Sequence, residues 1–247
     1  MEDNILPPAA ALSDAEKEWH NRLVLSYLTL RRLIGVTGML LPVILVLSSV
    51  LEMGWSSIQL SISDYYYTNR GDILVGIICM LCVFLFTYKG YNWQDILFTR
   101  LAALCGFGVA LFPTANHPPA DPQNIHITSR HIVEIPHVGE LHLVFATVFF
   151  ISLSCISLFL FTKSDKPEVV PFNPPGKKMT QKDRRNIVYI ACGIVMLLCV
   201  AVLTVYFKSD TLRKKIEPFP LTFWLESLAL EAFGVSWFVK GRTLLQD

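Results

Sequence analysis

Six long apolar runs dominate the pattern of hydrophobic and polar positions along the chain, with more polar segments between them. The runs cover about 33–52, 72–88, 96–113, 139–162, 187–207 and 220–239. Each approaches or exceeds the roughly 18 residues that mark a membrane-spanning helix. None shows the alternation of a barrel strand, so helices are needed to satisfy the backbone in lipid. The pattern predicts an all-α polytopic membrane protein, a six-transmembrane-helix bundle over residues 31–240.

The distribution of lysine and arginine among the loops predicts the orientation of this bundle. With both termini cytoplasmic, 15 basic residues face the cytoplasm and 6 face outward. The loop between the fifth and sixth runs opposes this orientation with four basic residues, whereas the first and third loops carry one each. We therefore expect both termini, and a basic, proline-rich linker at 163–186, on the cytoplasmic side of the inner cell membrane.

The segment before the first run, residues 1–30, is predicted to be cytoplasmic and to contain an amphipathic helix. Ser13 and Glu16 have the spacing of a capping box. In this motif the serine side chain accepts a hydrogen bond from the backbone N–H of the glutamate, and the glutamate side chain accepts one from the backbone N–H of the serine. The helix either lies on the inner membrane surface or continues directly into the first span. Residues 241–247 form a short C-terminal tail.

Composition supports membrane insertion and excludes several classes of protein. Of the 247 residues, 53% are hydrophobic and 17% are charged, against roughly 25% charged in a typical soluble domain. A soluble globular enzyme and a disordered chain are therefore excluded. All six cysteines lie inside apolar runs, which excludes a secreted disulfide scaffold and is typical of buried packing. The net charge of +1 provides no basic surface for nucleic acid, so we expect membrane lipids as partners.

Polar residues collect at the predicted outer ends of the spans, and such residues are the usual route to function in membrane proteins. One interpretation is a shared, outward-facing polar pocket; the other is a set of separate interfacial contacts. Glu226 favours the pocket, because it lies about 9 Å into the sixth span. Glu231 lies deeper, and we expect it to find its own hydroxyl or amide partner. The candidate ligand-binding residues are Ser63, Asp64, Asp72, His142 and Glu226.

Two chemical alternatives use the same residues. His142, Asp72 and Glu226 would hold a divalent ion if they met in space, although their spacing does not show that they meet. Ser61 or Ser63 would form a hydrolase site with His142 and either Asp64 or Asp72, but the chain has no G-x-S-x-G elbow. We expect no metal and no cofactor, and the sequence assigns no catalytic residue.

Small residues recur at four-residue intervals in the third run, at Ala102, Gly106 and Ala110. Such a ladder allows two helices to approach closely. It is either a homodimer contact or a packing surface within one chain.

Several short motifs resemble a prokaryotic six-helix membrane family of unknown function. They are the Ile-Ser-Asp-containing block at 61–67 with 71–76, the Gly-to-Phe-Pro block at 106–114, and the His142 block at 141–146. This family is distantly similar to the DRAM/Sfk-type membrane proteins, which have been linked to lipid handling. The resemblance implies the six-helix fold and no defined activity.

A second similarity is to membrane hydrolases of the alkaline ceramidase type, which use serine, aspartate and histidine at helix ends. Their further histidine pair in the last span has no counterpart here, so their zinc site does not carry over. We therefore predict a membrane protein that binds a lipid headgroup or another small ligand in the outward pocket. A membrane-embedded lipid hydrolase, metal-dependent or not, is the alternative, and a small-molecule transporter comes third.

Overall fold

The computed structural model describes residues 14–90, 92–114, 137–163, 180–216 and 219–241. Every regular element in these ranges is helical, which confirms the all-α prediction. The helices are α1 (Asp14–Met53), α2 (Gly71–Thr87), α3 (Trp93–Leu111), α4 (Val138–Cys155), α5 (Gln181–Lys208), α6 (Asp210–Ile216) and α7 (Leu221–Lys240). A π-helical turn, Ile156–Leu160, extends α4, and 3-10 turns cover Trp55–Ser57 and Ser63–Tyr67. Most of the predicted linker at 163–186, residues 1–13 and the tail beyond 241 lie outside the described residues.

Four helical segments are long and apolar enough to cross a membrane. They are Tyr27–Met53, Trp93–Leu111, Gly139–Leu160 and Gln181–Lys208, and α2 is apolar but shorter, with 17 residues. Large apolar side chains are exposed on these helices, for example Leu47, Leu104, Val144 and Leu198. Such a surface is costly in water and suits hydrocarbon. The chain is therefore a membrane-embedded helical protein, and α1 enters its span as one continuous helix from Asp14.

The six long helices form a ring in which neighbours in sequence pack side by side. Contacts run from α1 through α2, α3, α4 and α5 to α7, and α7 closes the ring by packing along α1. The small-residue ladder faces the inside of this ring, since Ala102 and Ala110 are buried and Gly106 lies against Cys82 and Phe149. Packing within one chain thus accounts for the ladder, and the homodimer stays a prediction.

Chain direction alternates around the ring, so the end of α1, the start of α2, the end of α3 and the starts of α4 and α7 lie at one end of the bundle. Hydrogen bonds join these segments. Phe223 N in the first turn of α7 donates to Leu60 O at 2.9 Å, and Tyr67 Oη donates to Thr114 O at 2.6 Å. The first N–H groups of a helix have no partner within it, so Leu60 satisfies one of them in α7 and fixes the first loop.

Candidate functional site

Three of the predicted site residues meet at this end of the bundle, although they come from three different elements. Ser63 opens the 3-10 turn, His142 lies in the second turn of α4, and Glu226 lies in the second turn of α7. Ser63 Oγ is 3.0 Å from His142 Nε2 and 3.5 Å from Glu226 Oε1. We call Ser63, His142 and Glu226 the Ser–His–Glu cluster.

Glu226 holds the first loop through its other carboxyl oxygen. Oε2 accepts hydrogen bonds from Ser61 Oγ at 2.7 Å and from the Ile62 backbone N–H at 2.6 Å. Ser61 Oγ in turn accepts from the Ser63 backbone N–H at 3.0 Å. A side chain of α7 therefore replaces the backbone partners that this loop lacks, and it sets the position of the Ser63 side chain.

His142 is oriented by a backbone carbonyl at the end of α3. Its Nδ1 lies 2.7 Å from Phe112 O; a carbonyl oxygen only accepts, so Nδ1 carries a proton. In the neutral imidazole Nε2 is then an acceptor, and the Ser63 hydroxyl donates to it. Pro113 follows the capping residue and ends the helix. Helix ends leave carbonyls without helical partners, and His142 satisfies this one.

A cavity of about 60 Å³ begins at the Ser–His–Glu cluster and extends into the bundle. This is room for several water-sized spheres. Its polar lining residues are Ser63, Tyr66, His142 and Glu226, and the rest are apolar, among them Leu74, Leu81, Val109, Phe149 and Phe150. Between His142 and Phe150, α4 rises by about 12 Å. The cavity is therefore an apolar slot with one polar end.

The other two predicted site residues lie outside the lining of this cavity. Asp64 follows Ser63 in the 3-10 turn and is half-buried, whereas Asp72 is exposed in the first turn of α2. Arg70 occupies the N-cap position of α2, and Asp72 lies two residues later in the first turn of that helix. Arg70 forms an ion pair with Glu52 and donates to Ser48 O at 2.8 Å. Glu52 therefore joins the end of α1 to the start of α2.

Two further expectations concern Glu231 and a divalent metal site. Glu231 is partly exposed. No residue that the structure describes donates a hydrogen bond to its carboxyl group, so the prediction of a hydroxyl or amide partner was wrong as far as these residues are concerned. Among the described residues no three His, Cys, Asp or Glu side chains are arranged to hold a metal ion. The hypothetical divalent site fails geometrically at Asp72, which does not line the cavity with His142 and Glu226.

Asp64 predicts a pH dependence of stability. Burial raises the pKa of its carboxyl group to about 7, against the smaller lowering effect of a backbone hydrogen bond from Ser61. Between the ordinary pKa of an aspartate and this raised pKa, the folded protein holds a proton that the unfolded chain has lost. The contribution of Asp64 to the free energy of unfolding is therefore largest near pH 4 and falls as pH rises towards 7. Through this group the free energy of unfolding changes by at most about 1.4 kcal/mol per pH unit.

Asp64→Asn removes this titration. Thermal unfolding of the detergent-solubilised protein between pH 4 and pH 7.5 should therefore show a flatter pH profile for the variant than for the wild type. Titrating groups that do not interact with Asp64 contribute equally to both proteins and cancel in the comparison. Parallel profiles would contradict a raised pKa at Asp64.

Comparisons with protein families, with curated proteins and with solved structures found no match for this chain. The similarity to DRAM/Sfk-type proteins thus rests on the short motifs alone.

Sequence reasoning missed two partners in the site, Phe112 O and the Ile62 N–H. Both are backbone groups, whose availability depends on where a helix ends and how a loop turns. The proline that stops α3 was the signal for the first, and nothing in the sequence signalled the second.

Proposed function

We propose that this chain is a multi-pass protein of the inner cell membrane, with six spans and cytoplasmic termini, that binds a membrane lipid in the slot below the Ser–His–Glu cluster. The observation that carries the proposal is the shape and chemistry of the cavity. An apolar slot of this volume accepts a segment of a hydrocarbon chain by the hydrophobic effect. The hydroxyl, imidazole and carboxyl groups at its polar end offer hydrogen bonds to the polar part of the same molecule.

The six-span arrangement is supported by the ring of long helices. The helix α7 carries Glu226 and Glu231, which lower its hydropathy, but it packs along α1 and α5 and has buried Phe223, Phe233 and Trp237. Charged residues within a span usually face the bundle interior, as Glu226 does here. With the cytoplasmic termini predicted from the basic residues, the polar end of the slot lies near the outer side of the membrane.

A filled slot should bind less lipid. Ala146 lines the cavity on α4, and Ala146→Phe places a ring in it. Ala201 is exposed on α5 and is absent from the cavity lining, so Ala201→Phe is the matched control. Native mass spectrometry of the purified protein should show co-purified lipid with the wild type and the control. Occupancy in Ala146→Phe should fall about tenfold, equivalent to about 1.4 kcal/mol of binding free energy. Equal occupancy in all three proteins would refute binding in the slot.

A further inference from the structure

We infer that Ser63 and His142 form a nucleophile–base pair that transfers or hydrolyses the fatty-acyl ester of a lipid lying in the slot. The inference rests on the proposed lipid binding and adds a reaction to it. Its basis is that a serine hydroxyl and an imidazole acceptor lie together at the polar end of the apolar slot.

The first step is the orientation of the base. Nucleophilic serines need an adjacent general base, which is itself held by a third group. Ser63 Oγ lies 3.0 Å from His142 Nε2, within hydrogen-bond reach, and His142 Nδ1 is held at 2.7 Å by Phe112 O. The carbonyl fixes the tautomer with Nε2 unprotonated, the role that a carboxylate has in the Ser-His-Asp arrangement. It acts through orientation and adds no charge.

The second step is the protection of the pair from bulk water. His142 is buried, with 4% of its surface exposed, and Ser63 is half-buried. Both line the cavity, so a molecule in the slot contacts them directly. An acyl chain inserted along α4 towards Phe150 brings the ester carbonyl at its head to the level of Ser63. Glu226 acts as a positioning residue, since it fixes Ser61 and Ile62 just before the nucleophile.

The chemistry balances with water as the only co-reactant. Ser63 Oγ attacks the ester carbonyl carbon while its proton passes to His142 Nε2, and the carbonyl π electrons move to oxygen. When the carbonyl reforms, the C–O bond to the alcohol breaks and the leaving oxygen takes the proton from Nε2. Water then loses a proton to Nε2 and attacks the acyl-serine; Ser63 recovers that proton, and a free fatty acid departs. An acceptor alcohol in place of water gives acyl transfer.

A fluorophosphonate probe tests this inference on the full chain in detergent. Ser63 Oγ should displace fluoride from phosphorus, and peptide mass spectrometry should locate the adduct on Ser63. Ser63→Ala should abolish the adduct, and His142→Gln should slow its formation about 100-fold, as expected for removal of a general base. Ser48→Ala is the matched control, because Ser48 is a half-buried serine that donates only to Leu45 O on its own helix.

Two further measurements separate this inference from the proposed function. Release of fatty acid from an ester of a medium-chain acid should likewise be abolished in Ser63→Ala and slowed in His142→Gln, and Ser48→Ala should behave like the wild type. Lipid occupancy by native mass spectrometry should persist in Ser63→Ala, which also shows that the variant is folded. Lipid bound by the wild type without an adduct or fatty-acid release would overturn the reaction and leave lipid binding standing. An adduct on another serine, or labelling unaffected by His142→Gln, would also overturn it.

Discussion

Glu226→Ala should strongly destabilise the protein, whereas Glu226→Gln should leave it close to the wild type. The alanine variant leaves the Ser61 hydroxyl and the Ile62 N–H without the acceptor that both now share. An unsatisfied buried donor costs about 1–3 kcal/mol, so the expected loss is about 2–4 kcal/mol. Glutamine retains a carbonyl oxygen that accepts both bonds, and its amide donates towards Ser63.

Thermal unfolding in detergent measures the difference between these two variants. The alanine variant should also show faster proteolysis within the first loop, since that loop loses its attachment to α7. Equal stability of the alanine and glutamine variants would mean that the carboxyl group does not hold the loop. Glu226 would then be an interfacial residue, as the alternative interpretation of the sequence held.

Gly234→Ala is expected to weaken the contact between α1 and α7, which closes the ring. A Cβ atom at Gly234 would lie 2.6 Å from Gly35 O and 2.9 Å from Met39 N, both backbone atoms of α1. The helices must therefore separate to admit even one methyl group. Overpacking of this kind costs about 1–3 kcal/mol, and small residues at such crossings are typical of membrane helices.

Gly76→Ala is the matched control for this substitution. Gly76 also lies inside a helix, α2, but an added Cβ there meets no atom within 4 Å. Alanine is the better helix former by about 1 kcal/mol, so this variant should be as stable as the wild type or more stable. If Gly76→Ala and Gly234→Ala had the same melting temperature, α1 and α7 would not pack through Gly35 and Gly234.

The helices were largely predictable because a span has a fixed length and composition. The predicted run at 72–88 corresponds to Gly71–Thr87, and the run at 220–239 corresponds to Leu221–Lys240. The predicted convergence of His142 and Glu226 followed from alternating helix direction, which brings polar residues at the same ends together. This reasoning does not resolve the rotation of a helix, and Asp72 faces away from the cavity although it lies at the correct end.

The opposite end of the bundle shows a second limit of sequence reasoning. Arg31 counts as a basic residue of the N-terminal segment when orientation is predicted, yet it is only 4% exposed. Its guanidinium donates to Tyr88 Oη at 3.0 Å and lies over the ring of Tyr27. Lys240 likewise donates to Phe161 O at 2.9 Å. Charge counting treats such residues as solvated, whereas long cationic side chains also pack against aromatic rings.

The location of bound lipid tests the proposed function most directly. A phospholipid with a photoactivatable diazirine on its acyl chain would be irradiated with the purified protein, and the cross-linked residues would be identified by mass spectrometry. Lipid in the slot should attach to cavity residues such as Val109, Ala146 and Phe149, and Ala146→Phe should suppress these adducts. Adducts confined to the exposed apolar surface, at Leu104 and Val144 for example, would contradict a lipid-binding slot.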